Sequence, residues 1–145
     1  KEIKWNIRPN VRLVLGKHAP NIEAIKDCVE RHTLQIDFRT DVTNMEELIL
    51  DADIAIGSGG MHSWERCSLG LPTLITAFAS NQQANVSALH EAGAAVYWKN
   101  KHDLSMAITN VINNRDLVLQ MQTKAAAICD GLGTKRIVEV ILNEK

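Results

Sequence analysis

The sequence predicts an α/β fold, a parallel sheet with helices on both faces, and three observations carry that reading. Short apolar or β-branched runs alternate along the chain with segments whose apolar residues recur every three or four positions. The connections between them are short, as expected where crossover helices join parallel strands. At residues 53–72, in Asp53-Ile-Ala-Ile-Gly-Ser-Gly-Gly-Met-His-Ser-Trp-Glu-Arg-Cys-Ser-Leu-Gly-Leu-Pro72, a strand runs through glycines into a helix.

Taken in order, Val11–Leu15 is rich in β-branched residues, ends at Gly16, and reads as the first strand. Pro20 suits a first helical position, and Ile22, Ile25, Cys28 and Val29 follow at helical spacing to about His32. Leu34 to Phe38 alternates as a second strand. Asp41 or Thr43 then caps a short helix to Leu50, with Met45, Leu48 and Ile49 on one face. A short buried strand, Ile54 to Ile56, leads through Gly57-Ser-Gly-Gly60 into a helix from His62 to about Leu69.

Gly70 stops that helix, and Pro72 introduces a fourth strand, read as Thr73 to Thr76 or Leu74 to Ala77. Ala79-Ser-Asn-Gln-Gln83 reads as a polar loop, followed by a helix over Ala84 to Ala92 closed by Gly93. Ala94 to Trp98 is the fifth strand. Asp103 is expected to cap a helix to Ile112, which Asn113-Asn114 breaks. Leu117 to Cys129 forms another helix. After Asp130-Gly-Leu-Gly133, Thr134 is expected to cap a last helix with Ile137, Val138, Val140 and Ile141. The whole of residues 1–145 reads as a single domain.

A strand that enters a helix through glycines makes a seat for an anion. Its backbone N–H groups can point at a phosphate, and the helix N-terminus carries partial positive charge. Gly57, Ser58, Gly59, Gly60, Met61 and His62 are therefore candidate nucleotide contacts. Glu65, one helical turn on, is placed either to accept bonds from a ribose diol or to close a capping box with His62 near the cap. The dinucleotide fingerprint is absent, because its third glycine would fall at His62, and no P-loop lysine follows. Ligands of parallel sheets sit outside the carboxyl ends of the strands. His18 and the amides Asn81, Gln82 and Gln83 are thus candidates for sugar or phosphate. No catalytic base is assigned, since neither His18 nor His62 has an identifiable carboxylate to orient it. Trp5, Trp64 and Trp98 read as packing residues.

Composition narrows the function classes. Hydrophobic residues are 46% and charges of mixed sign 23%, a globular profile. A net charge of −1 gives no electrostatic case for nucleic acid or an anionic membrane. No apolar run approaches the roughly 20 residues that span a bilayer. Three scattered cysteines (Cys28, Cys67, Cys129) argue against a disulfide framework or zinc site and read as small buried hydrophobes in a reducing cytoplasm. No metal and no cofactor are expected. The charged start without Met suggests a piece of a longer protein.

Ser58-Gly-Gly-Met-His-Ser-Trp-Glu-Arg-Cys-Ser-Leu-Gly-Leu-Pro72, Asn81-Gln-Gln83, Glu91-Ala-Gly93 and Asp130-Gly-Leu-Gly-Thr-Lys-Arg-Ile137 together resemble a family of bacterial UDP-sugar hydrolases. Those enzymes act on UDP-2,4-diacetamido-2,4,6-trideoxy-β-L-altropyranose in pseudaminic acid biosynthesis, and spore-coat polysaccharide proteins are close relatives. The chain is more distantly similar to the N-acetylglucosaminyltransferase of peptidoglycan precursor synthesis. The resemblance implies a Rossmann-like domain, the carboxyl-terminal half of a GT-B fold. It implies a UDP-sugar ligand, with Ser58, Gly59 and Gly60 at the diphosphate, Glu65 at the ribose and Asn81 to Gln83 at sugar or phosphate. At Met61 and His62 the chain departs from the family's small hydroxyl residues. A water-activating histidine would lie in the missing amino-terminal half, so this chain alone would bind without turnover. A glycosyltransferase donor half is the alternative the same residues allow.

Overall fold

The computed structural model describes residues 8–143, so Trp5 lies outside the described residues. The chain packs as two compact units, one up to Met45 and one from Glu46 onward. Both are built of parallel strands and helices, giving an α/β fold of parallel sheets flanked by helices.

In the first unit β1 (Val11–Leu15) and β2 (Ile36–Thr40) pair in parallel, from Val11 opposite Ile36 to Leu15 opposite Thr40. The helix α1 (Ile22–Glu30) joins them. It starts two residues after Pro20, because Asn21 sits in the left-handed region at φ 62° and the helical backbone begins beyond it. The second strand also begins later than its alternation suggests. Leu34 donates its N–H to His32 Nδ1 at 3.1 Å, a local turn that delays the ladder to Ile36. Between the strands, Asp37 accepts from Arg12 Nε at 3.0 Å and from Arg39 Nε at 3.0 and 3.1 Å. Those two cations hold its carboxyl below the ordinary aspartate range, Arg39 more than Arg12. Cys28, expected to be buried, is exposed.

The second unit opens with α2 (Met45–Leu50), which begins at the boundary. There follow β3 (Ala55–Ser58), α3 (His62–Ser68), β4 (Thr73–Thr76), a 3-10 turn (Ser80–Gln82), α4 (Gln83–Glu91) and β5 (Ala95–Tyr97). Three helices complete it: α5 (Lys101–Asn113), α6 (Arg115–Ile128) and α7 (Gly133–Asn143). The sheet order is β3-β4-β5, all parallel. The five expected strands thus pair as a ladder of two and a ladder of three. The central strand β4 is buried along its whole length. As an edge strand, β3 is not, and Ile56, expected in the core, is 53% exposed.

Two apolar clusters sandwich β4. One joins Cys67, Ile75, Val86, Leu89, Ala95 and Ala125, with Trp64 packed against it. The other joins Leu74, Ala107, Val111 and Met121, with Trp98 at its margin. Burying a Leu or Ile in this way contributes about 1.5–3 kcal/mol each. Gly70 (φ 66°) and Gly93 (φ 70°) end α3 and α4 in the left-handed conformation. Leu71 N–H then bonds Arg66 O, and Ala94 N–H bonds Leu89 O.

Two caps differ from expectation. Asn100, not Asp103, caps α5: its extended backbone lets Oδ1 accept from the N–H groups of His102 and Asp103. Thr134 lies inside α7, which starts at Gly133. Every residue of α7 is exposed, including Ile137, Val140 and Ile141 on one stripe.

Candidate functional site

The turn after β3 is shaped by what packs around it. A Cβ at Gly59 would lie 2.4 Å from Val86 Cγ2 and 3.2 Å from the Gln82 carbonyl, so only glycine lets α4 approach this closely. At Gly57 a Cβ would meet the Arg66 guanidinium at 3.0 Å. Arg66 reaches back from α3 and donates from Nη2 to Ser58 O at 2.8 Å. Its Nε is buried without a partner, and burial lowers the guanidinium's pKa from its ordinary value. From α4, Asn85 donates through Nδ2 to Gly59 O at 3.2 Å.

Not every amide expected to face a phosphate is available. Gly59 N–H donates to Thr76 O at 2.9 Å, continuing the β3–β4 ladder one residue past the strand. The ladder alternates, with Ala55 N–H on Pro72 O and Gly59 N–H on Thr76 O, so this donor belongs to the sheet. Ser63 and Trp64 donate to Gly60 O and Met61 O at 3.0 Å, and Ser63 Oγ also donates to Gly60 O at 2.6 Å. Among the described residues, the N–H groups of Gly60, Met61 and His62 have no acceptor. These are orphan donors of a helix start, and no side chain caps them. Of the seat expected over Ser58 to Met61, the Gly59 donor is thus taken by the sheet, while Gly60 and Met61 keep theirs and His62 adds another.

Glu65 is exposed and does not cap the helix backbone. Its Oε2 accepts from His62 Nδ1 at 2.8 Å, one turn earlier on the same face. An ionised carboxylate only accepts, so Nδ1 carries the proton and Nε2 is left for another partner. His62 thus has the carboxylate orienter that sequence reading did not find. The signal was present as the i, i+3 spacing within Met61-His-Ser-Trp-Glu65.

The amide-rich segment after β4 contributes unequally. Gln82 turns inward: its Oε1 accepts from Phe78 N–H at 3.0 Å, and its Nε2 lies 3.6 Å from the place a Gly60 Cβ would occupy. Asn81 and Gln83 are exposed, on a 3-10 turn and the first position of α4 where a loop was expected. Phe78, unremarked in the sequence, stands 76% exposed at the end of β4, edge-on to Trp98 at 6.3 Å between ring centroids. His18 lies in the first unit, exposed, after β1. Among the described residues no cluster of three or more His, Cys, Asp or Glu is placed to hold a metal ion. No described helix is long and apolar enough to cross a membrane.

Residues 2–139 match the model of the glycosyltransferase family 28 C-terminal domain. The chain belongs to this family. Among curated proteins this family 28 domain is 23% identical over 143 residues to the spore coat polysaccharide biosynthesis protein SpsG of Bacillus subtilis (strain 168). The match covers 91% of the chain and 40% of that relative. Among solved structures it is similar to MurG of Acinetobacter baumannii, at 21% identity and a TM-score of 0.78, covering 95% of the chain and 42% of MurG. A Streptomyces glycosyltransferase complexed with thymidine diphosphate is similar at 13% identity and a TM-score of 0.57, over 95% of the chain and 44% of that enzyme. The family 28 domain thus spans less than half the length of each, and these likenesses establish the GT-B carboxyl-terminal fold.

Proposed function

We propose that the chain is the donor-binding domain of a glycosyltransferase that uses a nucleotide-diphosphate sugar, with a UDP-sugar as the donor. The observation that carries this reading is the set of three unengaged N–H groups, Gly60, Met61 and His62, just beyond the carboxyl end of β3 in a family 28 domain. Prealigned donors of this kind stabilise charge that develops on a departing diphosphate. Glu65 accepts from the ribose hydroxyls, exchanging its bond to His62 for them. Gln82, with Asn81 and Gln83, contacts sugar or phosphate, and Ser58 adds a polar contact from the turn. Residues 1–145 work as one binding domain, and the acceptor site and the base belong to the rest of the parent protein, which is cytoplasmic.

A second reading is the carboxyl-terminal half of a UDP-sugar hydrolase of pseudaminic acid biosynthesis, with water in place of the acceptor alcohol. The Ser63-Trp-Glu-Arg-Cys-Ser-Leu-Gly-Leu-Pro72 string favours it. The family match and the similarity to MurG support transfer over hydrolysis. Sugar release by the parent protein without any acceptor would reverse that order.

Binding is tested by titrating UDP and thymidine diphosphate against the chain. UDP is expected to bind more tightly, and Glu65→Ala to weaken it about tenfold, the loss of a hydrogen bond to a charged group. No binding of either nucleotide at millimolar concentration would sink the proposal.

A further inference from the structure

The turn is gripped from two helices, and the grip fixes which way its peptide planes face. In a trans peptide the C=O and the following N–H point in opposite directions, and there are no cis bonds among the described residues. The Ser58–Gly59 plane is held at both ends: Arg66 Nη2 donates to its oxygen at 2.8 Å, and its N–H donates to Thr76 O at 2.9 Å. The Gly59–Gly60 plane is held at one end only. Asn85 Nδ2 donates to its oxygen at 3.2 Å, and the N–H of Gly60 points away from Asn85 without a partner.

From these contacts we infer that Asn85 and Arg66 are positioning residues for the diphosphate seat, holding the two carbonyls back so that the Gly60 N–H faces the ligand. This rests on the diphosphate reading above and adds residues that reading does not use. The need for such a grip follows from composition. Gly59 and Gly60 both lack a Cβ, so their shared plane rotates at little steric cost. A reversed plane would present a carbonyl oxygen where the phosphate expects a donor. Arg66 reinforces the arrangement by lying against Gly57, where any side chain would displace it. A largely buried cation with an unpartnered Nε is costly to fold, so Arg66 is better accounted for by the carbonyl it holds than by stability.

The test compares UDP with uridine, and follows the Gly60 amide by NMR, in the wild-type chain and in Asn85→Leu, Arg66→Met and Arg66→Lys. Asn85→Leu removes the donor at similar volume. It is expected to weaken UDP about tenfold, leave uridine within about twofold, and abolish the UDP-induced shift of the Gly60 amide. Arg66→Met should weaken UDP selectively, and Arg66→Lys, which still offers a donor to Ser58 O, should restore most of the affinity. Should Asn85→Leu not fold, the Met and Lys pair decides alone. Equal loss of both ligands, or unchanged affinity for UDP, overturns the proposal. If the wild-type chain binds uridine and UDP equally, the seat has no role in binding and the proposal falls. If it binds neither, the nucleotide reading itself has failed.

Discussion

The two units are assembled alike, parallel strands joined through a helix, yet they differ in how far they close over their apolar residues. From residue 8 to residue 45 no side chain is fully buried, and β1 is half-covered along its length. Beyond Glu46, Leu74, Ile75 and Ala125 are wholly inaccessible and two clusters enclose β4. Strand pairing and register therefore arise in the first unit with little burial of its own, as alternation and chain connectivity allow. The second unit adds side-chain packing, and its glycine turn is rigid because that packing reaches it through Val86, Arg66 and Asn85.

The sharpest way to break this contrast is truncation in each unit. Ile75→Ala is expected to cost about 2–5 kcal/mol in urea unfolding, the range for emptying a closed core. Leu13→Ala, at a half-covered site, should cost about 1–2 kcal/mol, close to its lost transfer energy. Equal losses would mean that the first unit is as tightly closed as the second.

A smaller difference is expected between glycines. Gly59→Ala forces a methyl into Val86 and should destabilise by about 1–3 kcal/mol. Gly16→Ala meets nothing within 4 Å and should be neutral or stabilise by up to about 1 kcal/mol, by restricting the unfolded chain.

Titration sets the units apart again. Asp37 has its folded pKa depressed, first by Arg39 and then by Arg12. Its contribution is present above the unfolded value near pH 4 and is lost as pH falls through the folded one. Cys67 is shifted the other way, because burial raises its thiol, with Cys129 adding to the shift. Its contribution is complete below the unfolded value, about pH 8.5–9, and fades as pH rises through the folded one. Stability measured against pH should show a shallower acid limb in Asp37→Asn and a shallower alkaline limb in Cys67→Ala. Steep limbs that persist in both variants would assign these slopes to other groups.

The mildest probe is thiol labelling under native conditions. Cys28 should react within minutes, Cys129 more slowly, and Cys67 only on unfolding. Early reaction at Cys67 would show the cluster around Ile75 opening locally.

Much of this was legible in the residues. The strand Val11–Leu15 and the His62 helix start fall where the β-branched run before Gly16 and the glycine turn put them, and the strand after Pro72 lies within a residue of its expected place. The α/β class followed from the same periods. What escaped was set by geometry that spacing does not carry. Asn100 displaced Asp103 as a cap because an extended backbone, visible only in three dimensions, turns its oxygen toward the helix. Ile56 reads as core, but an edge strand leaves it in water. Gly57 to Gly60 announced a turn, whereas engagement of the Gly59 N–H by Thr76 depends on the β3–β4 register. Asn85 and Arg66 carry no motif signal pointing at the turn. They matter through the carbonyls they reach, and those lie 26 and 8 residues away in sequence.

The last helix carries a consequence of its own. An eleven-residue helix in isolation is marginal in water, and α7 keeps all of its side chains there. Its backbone ladder is backed by the exposed ion pairs Lys135–Glu139 and Arg136–Asp130, which add little in water, so its amide hydrogens should exchange for deuterium within seconds, while those of β4 persist for hours.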